Sequence, residues 1–513
     1  MLTKVYGSAV FGVEATTITV EVNVDKGIGY HLVGLPDNAI KESNFRIAAA
    51  LQNNGYKIPG KKITLNMAPA DMRKEGSAYD LTLAMGILVA TSQIEEQHPL
   101  DQYIIMGELS LDGSLQPIRG ALPIAINAKR EGFKGFILPK QNAKEAAIVD
   151  GLEVFGVHSI KEVIDYFNEG TPLSEMVVDV EAEFYNQLED PEFDFADVKG
   201  QESIKRCMEI AAAGGHNIIL IGPPGSGKTM LAKRLPSILP PMTLNEALET
   251  TKIHSVAGRT MEKSGVMTSR PFRSPHHTIS NVALVGGGSY PQPGEISLSH
   301  NGVLFLDELP EFKREVLEVM RQPLEDREVT ISRARFTITY PSSFMLVASM
   351  NPSPSGYFND PDAPMSSSPM EMQRYLGKIS GPLLDRIDIH IEVTPVPFEK
   401  LSEDSKGEQS HLIRERVTAA RKLQAARFEA YDSIHYNAQM GVRLIRKFCE
   451  LDTESKALLK SAMERLNLSA RAYDRILKVA RTIADLEASQ SVKGHHISEA
   501  IQYRSLDRDG WLG

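Results

Sequence analysis

Cysteine is scarce in this 513-residue chain, which contains only Cys207 and Cys449. Two thiols can form neither a network of disulfides nor a zinc site with four thiolate ligands, so the chain fits a reducing compartment. The composition is otherwise that of an ordinary globular protein, with 42% hydrophobic and 24% charged residues. At about 150 residues per domain, the length favours about three domains.

Long apolar runs are also missing. No stretch of about 18 consecutive apolar residues occurs in the sequence. Residues 1–25 alternate polar and apolar residues and lack the basic start and apolar centre of a secretory signal. The sequence therefore predicts no membrane-spanning helix, and we expect a soluble, cytoplasmic protein.

The chain has no excess of basic charge, since 56 Lys and Arg residues stand against 66 Asp and Glu residues. Proteins that bind nucleic acids usually present a basic surface, so the net charge of −10 disfavours such a partner. Residues 171–198, however, contain nine acidic residues and no Lys or Arg, which leaves the rest of the chain close to neutral. The global charge thus excludes a strongly basic, histone-like protein and leaves a DNA partner open.

Hydrophobic patterning divides the chain into four parts. Residues 1–170 mix helical patterns with strand patterns, such as the alternation at residues 18–24, and predict an α+β domain. Residues 171–198 have no periodicity and predict an extended acidic linker. Residues 199–397 alternate strands with helices, which is typical of a parallel sheet, and residues 398–513 show only helical patterns. The predicted fold class is α/β, with an α+β domain in front.

The strongest motif is a glycine-rich loop that follows the apolar run 218–221. A strand, such a loop and a helix in this order bind nucleotides, because backbone N–H groups converge on phosphate oxygens. Lys228 would neutralise the β and γ phosphates, and Thr229 would bind Mg²⁺. The motif predicts ATP and Mg²⁺ as cofactors. The predicted binding residues are Gly222, Pro223, Pro224, Gly225, Ser226, Gly227, Lys228, Thr229 and Met230.

A second apolar run, 303–306, ends at Asp307 and Glu308. Four apolar residues in a row are typical of a strand buried on both faces of a parallel sheet, and ligands bind at the carboxyl ends of such strands. Asp307 would hold Mg²⁺, and Glu308 would polarise the attacking water. A third strand, 344–348, leads to Asn351, which either orients that water or is an ordinary turn residue.

Two arginines complete the predicted catalytic set. Arg386 lies between a turn and a strand, and Arg471 opens an amphipathic helix after Ser469, which suits an N-cap. A cation that reaches the γ-phosphate only when a ring or lid closes makes hydrolysis conditional. The alternative for each arginine is a surface ion pair.

These motifs resemble those of AAA+ ATPases of the magnesium-chelatase-like group and, more narrowly, of the YifB/ComM family. The resemblance implies that Asn351 is sensor 1, that Arg386 is an arginine finger acting on a neighbouring subunit, and that Arg471 is sensor 2. It rests on residues 270–277 (RPFRSPHH), 293–310 (PGEISLSHNGVLFLDELP), 380–388 (SGPLLDRID) and 469–477 (SARAYDRIL).

The same resemblance carries expectations about assembly and activity. It implies a hexameric ring, and a branch-migration helicase that acts on DNA junctions in recombination or natural transformation. The alternative is a chelatase-type ATPase that remodels a protein partner, since the chelatase resemblance covers the ATPase core.

Residues 1–170 resemble the Lon-protease-like domain of this family. Residues 72–78 match the Lon segment that carries the nucleophilic serine, but Ser77 falls one position early and Ala78 occupies the catalytic position. Leu122 stands where the Lon lysine would be. Because a Ser/Lys dyad needs both groups within hydrogen-bond reach, we predict an inactive protease domain that serves assembly or DNA contact.

Two segments are candidates for DNA contact. Residues 251–294 contain five Lys and Arg residues, including Arg270 and Arg273, and one acidic residue. Residues 329–338 predict two short strands, with Arg333 and Arg335 at the turn. Cations at loop tips suit sequence-independent contact with phosphates, and solvated surface charge is the alternative.

Two neighbouring histidines, His276 and His277, lie in the first of these segments. Neighbouring residues point apart on a strand, and the sequence offers no evident third ligand for a metal. We therefore interpret the pair as residues that pack a loop.

Overall fold

The computed structural model describes residues 2–186, 193–259, 265–288, 291–333, 336–354, 368–396, 407–431 and 434–504. The strands are β1 Leu2–Phe11, β2 Glu14–Asp25, β3 Gly29–Val33, β4 Lys62–Ala68, β5 Tyr103–Ile105, β6 Glu108–Leu109, β7 Leu115–Gln116, β8 Gly135–Pro139, β9 Glu153–Val157, β10 Ile218–Ile221, β11 Phe272–Arg273, β12 Gly286–Gly287, β13 Gln292–Pro293, β14 Val303–Leu306, β15 Glu328–Arg333, β16 Phe336–Pro341, β17 Met345–Met350 and β18 Ile389–Glu392.

The helices of the first half are α1 Asn38–Asn53, α2 Asp80–Ala90, α3 Ala121–Arg130, α4 Lys140–Ala146, α5 Ile160–Glu169, α6 Val180–Asn186, α7 Glu202–Gly214, α8 Lys228–Ile238, α9 Leu244–Val256 and α10 Asn281–Val285. Those of the second half are α11 Glu295–Leu298, α12 Arg314–Glu318, α13 Arg321–Asp326, α14 Pro369–Leu376, α15 Gly381–Leu384, α16 Ser410–Phe428, α17 Val442–Phe448, α18 Thr453–Arg465, α19 Ala470–Leu486 and α20 Gly494–Gln502. Of the helices that the structure describes, none has the length and apolar character needed to cross a bilayer.

The N-terminal part is built on a seven-stranded sheet in the order β3-β4-β2-β1-β5-β8-β9. The first hairpin is antiparallel, whereas β5, β8 and β9 run parallel because helices connect them. The alternation predicted at residues 18–24 lies within β2, where Ile18, Val20 and Val22 are buried. One apolar core joins this sheet to α1, α2 and α3.

The acidic stretch differs from the predicted extended linker. It contains α6, whose Phe184 is buried in an apolar cluster with Met242. Further upstream, Glu175 forms an isolated β-bridge with Phe155. A buried aromatic side chain and backbone pairing hold the stretch to the folded parts, and charge repulsion does not keep it extended.

The second sheet has five parallel strands in the order β11-β14-β17-β10-β18. The apolar runs at 218–221 and 303–306 form β10 and β14, in which every residue is buried, as predicted for central parallel strands. Because the strands are parallel, the loops that follow β10, β14 and β17 meet at one edge. This arrangement confirms the predicted α/β fold.

A buried polar network joins the start of β18 to the helical part. His216 Nδ1 lies 2.9 Å from Asp388 Oδ2, and His216 Nε2 lies 2.8 Å from Thr482 Oγ1 on α19. Arg475, also on α19, donates to Asp388 Oδ1. The apolar face of α19 packs beside this network, so the sheet and the helices share one core.

The N-terminal part contacts the part of the chain that carries the second sheet through α3 and through the β1–β2 turn. At the first, α3 packs against α9, Gly120 N donates to Ser255 O at 3.1 Å, and Leu122 is buried in a cluster with Met242 and Val266. At the second, the β1–β2 turn lies on the β15–β16 hairpin. A Cβ atom at Gly12, whose φ is +66°, would come within 3.0 Å of Ile338 Cγ2.

Candidate active site

The glycine-rich loop connects β10 to α8. Gly225 and Gly227 have φ values of +78° and +91°, in the left-handed region that glycine adopts without strain. The Ser226 hydroxyl is buried and has no hydrogen-bond partner among the described residues. No side chain caps the start of α8, so the N–H groups of its first turn are available to a ligand. An unpartnered hydroxyl and an uncapped helix start fit a bound phosphate group.

Lys228 is held entirely by neutral oxygens in the hydrogen bonds described. Its Nζ donates to Gly222 O at 2.6 Å, to Pro223 O at 3.0 Å and to Asn351 Oδ1 at 3.2 Å. Burial lowers the pKa of Lys228, while Asp307 and Glu308 act to raise it. The ammonium can therefore move to a phosphate without breaking a direct ion pair. Asn351 is brought to this site as the sequence predicts.

Asp307 is fixed by two hydroxyl groups. Thr229 Oγ1 donates to Asp307 Oδ2 at 2.9 Å, and Ser349 Oγ donates to Asp307 Oδ1. Carboxylate and hydroxyl oxygens are hard ligands of the kind that Mg²⁺ prefers. The structure thus places the two predicted Mg²⁺ ligands side by side, from the start of α8 and the end of β14.

Glu308 follows Asp307 with a φ of +54°, which turns its side chain away from the strand direction. Its N–H donates to Ser349 Oγ at 3.2 Å, and its carboxylate is 57% exposed. Ser349 therefore contacts both acidic residues, a role that sequence reasoning missed. This carboxylate is accessible to solvent at the carboxyl end of the sheet.

His277 also lies at this edge, with its Nδ1 atom 3.8 Å from Glu308 Oε2. Sequence reasoning interpreted His277 only as a loop-packing residue. Arg273 pairs with Leu304 in parallel strands, and His277 and Glu308 each lie four positions further along. Nothing in the sequence signalled the two-residue strand β11, so the sequence did not indicate that His277 would lie beside Glu308.

Arg386 and Arg471 lie at the opposite end of the sheet. Asn217, which precedes β10, donates its Nδ2 to Arg386 O at 2.9 Å, whereas Lys228 follows the carboxyl end of β10. The Arg386 guanidinium donates to Pro382 O and pairs with Glu325, and Arg471 pairs with Asp385. Within one chain, the structure does not bring these arginines to the glycine-rich loop.

Two of the four DNA candidates are engaged inside the fold. Arg270 is 14% exposed and donates to Pro240 O and Asn301 O, both at 2.7 Å, and to Glu246. Arg273 makes two hydrogen bonds to Glu295, at 2.6 and 2.8 Å. Because Arg270 is held by Glu246 and two carbonyl oxygens and Arg273 is paired with Glu295, the geometry favours a structural role for both arginines over phosphate contact.

The other two DNA candidates belong to the β15–β16 hairpin. The two strands pair antiparallel from Glu328 opposite Pro341 to Arg333 opposite Phe336, as predicted. Arg335 and the side chain of Arg333 lie outside the described residues. Their role in DNA contact stays a prediction.

The Lon-like motif of the N-terminal part contains no Ser/Lys dyad. Ser77 donates its hydroxyl to the Glu108 carboxylate, and Leu122 is fully buried in the contact with α9. Lys74, the lysine of the same motif, is buried and donates to Pro69 O. A leucine cannot take a proton from a serine, so this geometry supports the prediction that the domain lacks protease chemistry.

Comparison with known proteins places these parts in one family. Three family models match in sequence: subunit ChlI of Mg-chelatase at 20–142, magnesium chelatase subunit ChlI at 194–401, and its C-terminal part at 407–504. Competence protein ComM of Haemophilus influenzae is 43% identical over 511 residues, which cover 99% of this chain and 98% of ComM. The chain belongs to the magnesium-chelatase-like YifB/ComM family. YifB of Escherichia coli K12 is 44% identical over 510 residues, with the same two shares.

This membership of the YifB/ComM family confirms the resemblance seen in the motifs and makes the chain an AAA+ ATPase. Lon protease 2 of Bacillus subtilis is 32% identical over 128 residues, or 24% of this chain and 22% of that protein. This partial similarity fits the Lon-like fold predicted for the N-terminal part.

Proposed function

We propose that this YifB/ComM-family ATPase is a DNA motor that moves branch points during recombination. The observation that carries the proposal is the position of the β15–β16 hairpin. It follows α13, whose Glu325 contacts Arg386, and it precedes β17, which leads to Asn351 beside Lys228. A hairpin with two arginines at its turn is thus connected to both ends of the catalytic sheet. A relative over the whole chain is a competence protein by name.

Hydrolysis would use the groups at the carboxyl end of the sheet. Lys228 and the N–H groups of the glycine-rich loop would bind the phosphates, and Thr229 and Asp307 would hold Mg²⁺. Bound Mg²⁺ supplies positive charge that offsets the charge developing on the phosphates. Glu308 would accept a proton from the attacking water, while Asn351 would orient that water through its amide.

The opposite end of the sheet would act on a second subunit. Because Arg386 and Arg471 lie away from their own glycine-rich loop, each would reach the nucleotide of a neighbouring subunit in a ring, which we propose to be a hexamer. Hydrolysis would then depend on assembly, since the cation that stabilises the γ-phosphate comes from another chain.

A labelled four-way junction tests this function. With purified protein, ATP and Mg²⁺, we expect strand exchange that is lost in Glu308→Gln, because the water is no longer activated. The control is Ser77→Ala, which removes a hydroxyl of the inactive Lon motif and should keep full strand exchange. ATP hydrolysis that is indifferent to DNA, without junction movement, would contradict the proposal.

The hairpin contact is tested separately by changing Arg333 and Arg335 together to Ala. We expect weaker DNA binding and a flatter dependence of affinity on salt, because two phosphate contacts are lost. Nucleotide binding should be unchanged. An unaltered affinity for DNA would mean that another surface carries the contact.

The names of the three matching family models favour a second candidate, a chelatase-type ATPase that remodels a protein partner. The same ATPase site would serve it, so the two functions differ only in what stimulates hydrolysis. Stimulation by a protein partner, together with junctions that stay unmoved, would select this second function.

A further inference from the structure

Arg386 is covered by its own subunit. Its side chain is only 15% exposed, and its guanidinium contacts Pro382 O and the Glu325 carboxylate. The Nε atom is buried and has no hydrogen-bond partner among the described residues. An arginine in this position cannot touch a phosphate of a neighbouring subunit until its ion pair with Glu325 opens.

The pair is built so that it can open. Glu325 is 59% exposed and lies in the last turn of the short helix α13. An ion pair whose carboxylate is exposed to solvent is weakened by hydration and by salt. A phosphate offers an arginine a stronger, bidentate partner, so the guanidinium can exchange Glu325 for a nucleotide.

A cleft of about 440 Å³ lies beside the pair, at the boundary between the sheet and the helical part. Arg386 and Glu325 line it, together with Arg475 and Lys478 of α19. The cleft gives the Arg386 side chain room to rotate without displacing packed apolar groups.

Glu325 is also attached to the hairpin. Only Asp326 and Arg327 separate it from β15, and α13 packs against that strand. Leu324 packs on the apolar cluster that contains Val329 and Ile331 of the hairpin. A displacement of the hairpin therefore moves the residue that holds Arg386.

We propose that Glu325 is a positioning residue that keeps Arg386 inside its own subunit until the hairpin is displaced. A ligand on the hairpin of one subunit then controls ATP turnover at the next. This inference rests on the proposed function, because it requires Arg386 to act on a neighbour and DNA to contact the hairpin.

The direct test is Glu325→Gln, which keeps the shape of the side chain and removes its charge. We expect the kcat for ATP without DNA to rise about two- to fivefold, with KM unchanged, because Arg386 loses a charged partner whose carboxylate is exposed to solvent. The further stimulation by single-stranded DNA should shrink by the same factor. The matched control is Glu408→Gln, since Glu408 forms an exposed ion pair with Arg416 in the helical part. An unchanged or lower kcat in Glu325→Gln would overturn the inference.

Mixed subunits separate this inference from the proposed function. Arg386→Ala protein keeps its ATP site, and Lys228→Ala protein keeps its arginine, so only a mixture should hydrolyse ATP. Adding Glu325→Gln to the Lys228→Ala subunit should raise turnover of the mixture, and adding it to the Arg386→Ala subunit should not. A mixture without any turnover would refute the action on a neighbour. A mixture whose ATP turnover is the same with and without Glu325→Gln would refute the role of Glu325 but leave the action on a neighbour standing.

Discussion

The two ends of the catalytic sheet hold their charged side chains in opposite ways. At the carboxyl end, Lys228 donates to three neutral oxygens, and Glu308 is 57% exposed. At the amino end, Asp388 is 2% exposed and is bound by both His216 and Arg475. Lys228 at the carboxyl end is thus held by neutral oxygens, whereas Asp388, which joins the sheet to the helical part, is held by charged or ionisable side chains.

Arg386 shares features with both ends, because its own side chain is largely covered while its partner is exposed. It lies two positions before Asp388, yet its carboxylate partner, Glu325, is exposed. The contrast indicates that the amino end combines a fixed network with a cation that can be released. Substitutions at the two ends should therefore have separable effects on stability and on ATP turnover.

Asp388→Asn should destabilise the fold most. Breaking a buried ion pair by removing one partner costs about 3–5 kcal/mol, because Arg475 loses its charged partner and must share the single acceptor oxygen of the amide with His216. Urea unfolding measures the change. The matched control is Asp385→Asn, which removes the carboxylate paired with Arg471. Asp385 is 29% exposed, far more than Asp388, so this change should cost less than about 1 kcal/mol. Equal losses of unfolding free energy in Asp388→Asn and Asp385→Asn would show that the buried network is no more important to stability than an exposed ion pair.

Lys228→Ala should abolish function while sparing stability. We expect kcat/KM for ATP to fall by roughly 10²–10³, since a preorganised cation at the phosphates is lost. Neutral oxygens are left behind, so the urea midpoint should hardly change. A large loss of stability in this variant would show that the carboxyl end is as tightly built as the amino end.

Acid should destabilise the fold through two buried histidines, His216 in the amino-end network and His254, which contacts Leu298 O from α9. Burial lowers the pKa of His216 below its ordinary value of about 6.5, and it lowers that of His254 to about 4. Because the unfolded chain binds these protons more readily, the free energy of unfolding should fall as pH drops from about 6.5 towards 4, by up to about 1.4 kcal/mol per pH unit for each histidine. His216→Gln should flatten the slope measured by urea unfolding at several pH values. A slope that matches the wild type would contradict the assignment to His216.

Ser349→Ala should have the smallest effect, at the carboxyl end. Its hydroxyl donates to Asp307 and accepts from Glu308 N, so its loss should loosen both carboxylates. We expect kcat to fall about tenfold, the value of one hydrogen bond to a charged group. Ser353→Ala, which changes a buried serine just beyond Asn351, is the control. Equal losses in the two variants would argue against a specific role for Ser349.

Local signals predicted the carboxyl end well. The apolar runs at 218–221 and 303–306 define buried parallel strands, and parallel strands bring their carboxyl ends together. Asp307 and Asn351 directly follow β14 and β17, and the glycine-rich loop leads from β10 to Lys228 and Thr229. These four residues therefore meet as expected. The β15–β16 hairpin was predictable for the same reason, since its strands are neighbours in sequence.

Ion pairs between distant residues were not predictable. Arg270 and Arg273 count as free positive charge in the sequence, but their partners, Glu246 and Glu295, are brought to them only by the packing of α9 and α11. Glu325 lies 61 positions before Arg386 and meets it for the same kind of reason. The sequence shows how many charged residues a segment contains, but it does not show which of their side chains remain available to a ligand.

The burial of Leu122 has a practical consequence for dividing this chain. The residue stands where the resemblance to Lon would place the lysine, and it packs in one cluster with Met242, Ala247 and Val266 of the ATPase. An ATPase fragment that starts after the acidic stretch would expose this apolar surface, and so would lose solubility through self-association. Replacing Met242 and Val266 by polar residues should restore a monodisperse fragment. The contact made by Leu122 therefore limits where the chain can be divided to give a soluble ATPase fragment.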